Sequence, residues 1–506
     1  MKKRLFVLLT CVYLAIAGRE PPWGDAHVVY ATTQNLVDHG HIDVDLGGPP
    51  QFYAIRNGKK YGVFPLGNVL AMAPSYLVFH ALAAIPRAPV DFLFRLTTHL
   101  SPALLVAGAC VLLFVLGRRE GATERASAWL ALGLGTTTIL AVYARSPYSE
   151  ALQTLVFTWV IERGLALGER LTRSGALLGG VACGLLVNTK LIYALAVPVV
   201  ALYVVWRHRG EIVKVLVSLA LAAIPLSAFA VFALWHNHLK TGTLFDSGYA
   251  IPDGVFSGDA YAALDGFFFS TGKSIFLYSP LLVLSACALP SWLRRDRARA
   301  IFVLATCGVV TLANAKFRYW HADYCWGPRL LVPMTPAFFL PIAHWIEPAL
   351  SRGRARLRAL LVGALVGAGI FVQVLGCSLY WDHWIRIAIA VKDQTGAGSW
   401  YTEDLHHCHF IPQFSPLVGH AWLLGHLARG DDDLLIDAPW RRVIAGKVNV
   451  ATEWRAVRLD SWVAELIQTK SLWPLGGGIV LSLGGVSAWS VVGIRRRLRA
   501  SPETIA

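Results

Sequence analysis

Four stretches of the sequence bring ionisable and aromatic side chains close enough together to do chemistry. Pro21-Pro22-Trp23-Gly24-Asp25-Ala26-His27 carries the carboxylate Asp25, which either takes a proton in a reaction or caps a helix beginning at Ala26. Asn57-Gly58-Lys59-Lys60-Tyr61-Gly62-Val63-Phe64-Pro65 sets two ammonium groups beside aromatic rings. As point charges they suit a lipid phosphate, and they suit headgroup anchoring equally. Tyr143-Ala144-Arg145-Ser146-Pro147-Tyr148-Ser149-Glu150 places Arg145 and Glu150 together, either as a functional pair or as an ion pair that closes a helix bundle. The run from Lys316 to Arg329 is dense in aromatics and cations. Arg329 can grip a phosphate through two parallel N–H bonds, whereas an interfacial belt of Trp and Tyr explains the aromatics but not the concentration of polar groups.

Other clusters carry less. In His406-His407-Cys408-His409 neighbouring side chains point in different directions and lack the spaced pairs of zinc sites, so no metal ligand is assigned. Asp38, Asp43, Asp45 and Asp431-Asp432-Asp433 read as solvated loops. No Walker phosphate loop, GxSxG elbow or HExxH motif is present, which argues against an ATP-driven pump. Cys11, Cys110, Cys183, Cys287 and Cys307 lie in apolar runs, where a thiol behaves as a small hydrophobe. Cys325 and Cys408 fall in loops where an oxidising compartment permits a disulfide, though sequence does not pair them.

These residues need elements to hold them, and composition says which kind. A 506-residue chain that is 55% hydrophobic and 15% charged, with mean hydropathy +0.52, belongs in a bilayer. Its net charge of +15 resides in short clusters between apolar runs: Lys2 to Arg4, Arg118 to Arg125, Arg163 to Arg173, Arg207 to Lys214, Arg294 to Arg299, Arg352 to Arg358 and Arg495 to Arg499. The positive-inside rule puts them all in the cytoplasm and removes any need for a nucleic-acid partner.

Apolar runs at 5–18, 97–116, 126–143, 147–161, 215–235, 275–292, 300–314, 328–349, 357–380 and 474–493 are read as spans. The stretch 175–206 is read as two short helices meeting near Asn188 and Lys190. The total is about twelve spans. If 66–85 also crossed, every later basic cluster would flip outside, so it is read as interfacial or re-entrant, interrupted by Pro65, Pro74 and Pro86. Lys2-Lys3-Arg4, a short apolar core and Ala15-Ile16-Ala17 also resemble a signal peptide, without changing the side on which residue 19 begins. The outside then holds 19–96, 236–274, 315–327 and 381–473, and the cytoplasmic loops are short, which puts the work outside. The fold class is an all-α polytopic membrane protein, divided into a transmembrane domain over 1–380, a small outside C-terminal region over 381–473, and a last helix with a basic tail over 474–506.

The order of these features resembles the GT-C membrane glycosyltransferases, specifically bacterial relatives of the glycosyltransferase family 39 protein mannosyltransferases and the lipid A aminoarabinose transferase. The resemblance runs over roughly residues 1–420. It rests on Asp25 with Tyr30-Ala31, Tyr61-Gly62 with Pro65-Leu66-Gly67, Tyr148-Ser149-Glu150, Gly272-Lys273-Ser274-Ile275-Phe276-Leu277-Tyr278-Ser279-Pro280, Trp326-Gly327-Pro328-Arg329, and Phe414-Ser415-Pro416-Leu417. It implies interfacial helices in the first outside loop and an inverting transferase of hexosyl or pentosyl groups in the bacterial inner membrane, active on the periplasmic face. The donor it implies is a sugar on a polyprenyl phosphate; the acceptor is a hydroxyl on a lipid, polysaccharide or protein. Asp25 would be the base, and Arg329 with Lys60 or Lys273 would neutralise the departing lipid phosphate, beside Tyr61. Relatives often carry a second acid directly after the first; here Ala26 stands there, and Glu150 is the alternative catalytic carboxylate. No cofactor is implied beyond the possibility of a divalent ion. A polytopic transporter or lipid flippase is the competing reading, and convergence of Asp25, Glu150 and Arg329 on one outward cavity separates the two.

Overall fold

The computed structural model describes residues 1–21, 24–48, 50–249, 254–322, 324–343, 355–395, 406–430, 438–442 and 448–500. Pro22, Trp23, Asp323 and Asp431-Asp432-Asp433 lie outside them, as does the end of the 328–349 run. The first helix, Lys2–Ala15, buries Leu5, Leu9 and Tyr13 completely, and the Tyr13 hydroxyl donates to the Gly135 carbonyl at 3.0 Å. Glycine is needed there, because a Cβ would stand 2.5 Å from that hydroxyl. The last helix, Trp473–Ala500, packs along the first, so the two ends of the chain meet.

After the first helix comes Asp25–His39, stopped by Gly40 in the left-handed conformation (φ 72°). A two-stranded hairpin follows, Tyr53–Arg56 against Lys59–Gly62. Its turn is Asn57-Gly58, both at positive φ (52° and 74°), as a tight hairpin turn requires. The next run, Leu66–Ala83, is one continuous 18-residue helix, with Pro65 at its cap and Pro74 inside without breaking it, and by length and composition it is apolar enough to cross a membrane. It packs on the Asp25–His39 helix through Val29, Tyr30, Leu66, Val69, Met72 and Tyr76.

Among the described residues, six helices are long and apolar enough to span a bilayer, and two shorter apolar helices lie at Arg173–Val187 and Leu191–Arg207. The chain is a multi-pass, almost entirely helical membrane protein. The 175–206 stretch breaks where expected: a helix ends at Val187, Asn188 to Lys190 are non-helical, and a 3-10 turn begins at Leu191. Two other runs are also broken. Glu124–Thr137 is separated from Leu140–Tyr143, and Ile275–Tyr278 from Leu282–Arg295. The two breaks meet, since the Ser279 hydroxyl accepts from the Ile139 amide at 3.1 Å.

One hydrophobic core runs through the bundle and into the 381–473 segment, where Trp384, Trp422 and Trp440 pack against one another in edge-on and tilted contacts. No disulfide joins Cys325 to Cys408.

Candidate functional site

Arg329 begins a 3-10 turn, Arg329–Met334, directly after Gly327-Pro328. Gly327 has φ 62°, and a Cβ on it would lie 2.6 Å from the Tyr278 ring, so this approach to Arg329 requires glycine. The guanidinium donates through Nε to Glu150 Oε1 at 2.7 Å, through Nη1 to Asp25 Oδ1 at 3.4 Å, and through Nη2 to Asp25 Oδ2. Its plane covers the Tyr148 ring, 4.2 Å from the centroid, where a cation is attracted to the ring face. Three distant segments thus converge on one group.

Helix geometry explains why the acids sit where they do. Asp25 is the first residue of Asp25–His39, one position inside the cap supplied by Gly24. Glu150 is the first residue of Glu150–Glu169. Each carboxylate therefore occupies the positive end of a helix dipole, and the two helix starts face the same arginine. The acids differ in access: the Asp25 side chain is 20% exposed and that of Glu150 only 4%. Glu150 Oε2 is buried and has no hydrogen-bond partner among the described residues, a condition that asks for an explanation in a native protein.

Two further side chains stand around this cluster. Lys190, in the helix break, is within electrostatic reach of Glu150, Arg329 and Asp25, and its ammonium lies 5.4 Å over the Phe317 ring. Tyr249, packed edge-on against Phe64 at 6.3 Å, is within reach of the same three residues. Burial, followed by the Asp25 carboxylate, pushes the Tyr249 hydroxyl above its usual range, so it carries its proton at neutral pH. The sequence places Lys190 at the junction of two short helices without giving it a role, and Tyr249 gives no signal at all. The signal available for Lys190 was its place at the break of a split helix, where irregular backbone lines a cavity.

The other expected ligands lie elsewhere. Lys60 donates to the Leu46 carbonyl at 3.2 Å and sits 6.0 Å over Tyr53, while Tyr61 is held in the hairpin opposite Ala54 and bridges to Asp43. Neither touches Arg329 among the described residues. Lys273 is buried and donates to Cys325 Sγ at 3.3 Å. Arg145 does not pair with Glu150; its carboxylate is Asp460, at 2.7 Å. No group of three or more His, Cys, Asp or Glu side chains is placed to hold a metal ion among the described residues.

No protein-family model matches the chain, and no curated protein matches it in sequence. Solved structures do. ArnT from Cupriavidus metallidurans bound to undecaprenyl phosphate is 16% identical, with 85% of this chain aligned to 76% of that one at a TM-score of 0.50. The archaeal oligosaccharyltransferase AglB from Archaeoglobus fulgidus, in complex with an inhibitory peptide and a dolichol-phosphate, is 11% identical at a TM-score of 0.46, with 79% of this chain aligned to 59% of that one. The chain has the GT-C fold.

Proposed function

We propose that the protein is an inverting glycosyltransferase that moves a sugar from a polyprenyl-phosphate donor to an acceptor hydroxyl at the outer face of the bacterial inner membrane. The observation that carries this reading is the meeting of Asp25 and Glu150 on the single guanidinium of Arg329. ArnT, which shares the fold, was crystallised with undecaprenyl phosphate. A lipid-linked donor also accounts for chemistry held within a membrane bundle without a nucleotide-binding motif.

In this reading the donor phosphate draws Arg329 away from Asp25, with Lys190 as the second cation. The freed Asp25 carboxylate takes the proton of the acceptor hydroxyl as its oxygen attacks the anomeric carbon. The bond from that carbon to the phosphate oxygen breaks, the configuration inverts, and the charge left on the lipid phosphate is met by Arg329 and Lys190. Asp25 suits the base role better than Glu150 because it is the more exposed of the two, and an acceptor must reach it. Glu150, tied to Arg329 Nε, orients the guanidinium. The sequence-derived ligands Lys60, Lys273 and Tyr61 are assigned no contact in this scheme.

The test is sugar transfer by the purified protein from a polyprenyl-phosphate donor to acceptors of the lipid, polysaccharide and peptide classes, with Asp25→Asn alongside. Transfer that depends on Asp25 is expected. Movement of lipid across vesicles without covalent transfer would replace this reading with a lipid flippase.

A further inference from the structure

Beside the Arg329 cluster lies a second buried ionic centre that none of the chemistry above uses. Arg145 and Asp460 are 4% and 6% exposed. The Arg145 guanidinium donates to Asp460 Oδ2 at 2.7 Å, to the Asp460 carbonyl at 2.6 Å and to the Cys377 carbonyl. The other Asp460 oxygen accepts from the backbone amides of Arg19 at 2.7 Å and Glu20 at 3.2 Å. The Asp460 amide itself donates to the Ser378 carbonyl at 2.9 Å. One aspartate from near the C-terminus therefore holds the segment leaving the first helix, the turn before Glu150 and the end of the Ala355–Ser378 helix.

Two of the three segments it joins are the ones that carry the acids. Glu20 precedes Asp25 by five residues, and Arg145 precedes Glu150 by five. Arg145, Asp460, Glu20, Ala26 and Tyr148 line a single cleft, so the strap and the flank of the Arg329 cluster share a wall. The fit is tight. A Cβ on Gly18 would stand 2.6 Å from Arg145 Nη2 and 2.9 Å from Asp460 Oδ1. Neighbouring contacts fasten the same piece of chain, with Trp462 Nε1 donating to the Leu14 carbonyl at 2.9 Å and Arg458 pairing with Glu20 at 2.8 Å.

We propose that Asp460 is a positioning residue that sets the separation of Asp25 and Glu150 across Arg329 by tying residues 18–20 to Arg145. The role assigned to those acids rests on the glycosyltransferase reading; the mechanical coupling does not. Asp460 touches no reacting atom. Losing it lets two helix starts drift relative to one another, and a displacement of about 1 Å at a reacting group costs on the order of 100-fold in rate.

The experiment measures hydrogen exchange and sugar transfer on the full-length protein in detergent, for wild type, Asp460→Ala, Asp460→Asn and Gly18→Ala. In Asp460→Ala, amide exchange is expected to rise about tenfold across both 19–31 and 144–152. With it kcat is expected to fall by about 10- to 100-fold, while KM for the donor stays within about twofold. Asp460→Asn, which keeps an acceptor for the two amides, recovers part of the rate. Gly18→Ala keeps both charges and reproduces the exchange pattern from the opposite side, which covers the case in which Asp460→Ala does not fold. Exchange that rises only within 457–468, or a KM that rises with kcat unchanged, overturns the proposal. If wild type transfers no sugar, the functional reading fails while the exchange result still decides the coupling.

Discussion

The Glu150–Glu169 helix has an ionic centre at each end, and the two are built differently. At the Glu169 end, Glu162 pairs with both Arg119 and Arg163, and Glu169 with both Arg119 and Arg299. Glu120 there accepts from Arg299 at 3.3 Å and from Trp292 Nε1 at 3.0 Å. Each acid keeps a partner when one is lost. At the Glu150 end, Asp25 and Glu150 share Arg329, which is the one cation paired with either among the described residues. Redundant pairing fastens helix ends; dependence on a single exchangeable cation leaves two carboxylates poised for whatever displaces it.

That contrast can be broken by substitution. Arg329→Ala strips Asp25 and the buried Glu150 of their shared partner at once and is expected to cost about 3–5 kcal/mol, read as a large fall in the unfolding temperature of the detergent-solubilised protein, along with all transfer activity. Asp25→Asn is expected to leave the fold in place and lower transfer by about 100- to 10,000-fold, the range of a lost general base. Glu150→Gln keeps an oxygen for Arg329 Nε but removes the charge that orients it; a fall of about tenfold or more in kcat/KM is expected, smaller than that of Asp25→Asn. Arg299→Ala, in the redundant centre, is expected to cost about 1 kcal/mol and to leave transfer per folded molecule unchanged. Equal destabilisation by Arg299→Ala and Arg329→Ala would dissolve the distinction.

The smallest effect is one of pH. Burial opposes the charge on Asp460, but Arg145 and the amides of Arg19 and Glu20, with His99 nearby, hold its carboxyl below the usual carboxylate value. A depressed pKa contributes stability above the unfolded-state value of about 3.9 and loses it as pH falls through the folded one. Protection of the amides at residues 15–21, with the intrinsic pH dependence of exchange divided out, is therefore expected to be flat from pH 8 to about 5 and to fall only below about 4.

How much of this was legible in the sequence differs by residue. The membrane class and the break at Asn188 to Lys190 follow from hydropathy and from basic clusters on both flanks, which are local properties. Asp25, Glu150 and Arg329 could each be singled out as ionisable groups at the edge of apolar runs, and the structure brings the three together. What sequence could not supply is pairing across hundreds of residues. Arg145 stands five residues from Glu150 and was read as its partner, yet the helix start turns Glu150 toward Arg329 and leaves Arg145 for Asp460, 315 residues away. Lys60 and Tyr61 are expected from the sequence to support Arg329 at a lipid phosphate, and the Asn57-Gly58 turn folds them into a hairpin with partners of their own. The prolines around 66–85 suggested a broken segment, whereas Pro65 falls at a cap and Pro74 is accommodated inside a continuous helix.

The most direct measurement compares sugar transfer from a polyprenyl-phosphate donor in wild type, Asp25→Asn and Arg299→Ala, each normalised to folded protein. Robust transfer in wild type and Arg299→Ala, with loss of about 100-fold or more in Asp25→Asn, is the expected result. Full activity in Asp25→Asn would contradict the assignment of the base, and absence of transfer in wild type across all donor and acceptor classes would contradict the glycosyltransferase itself.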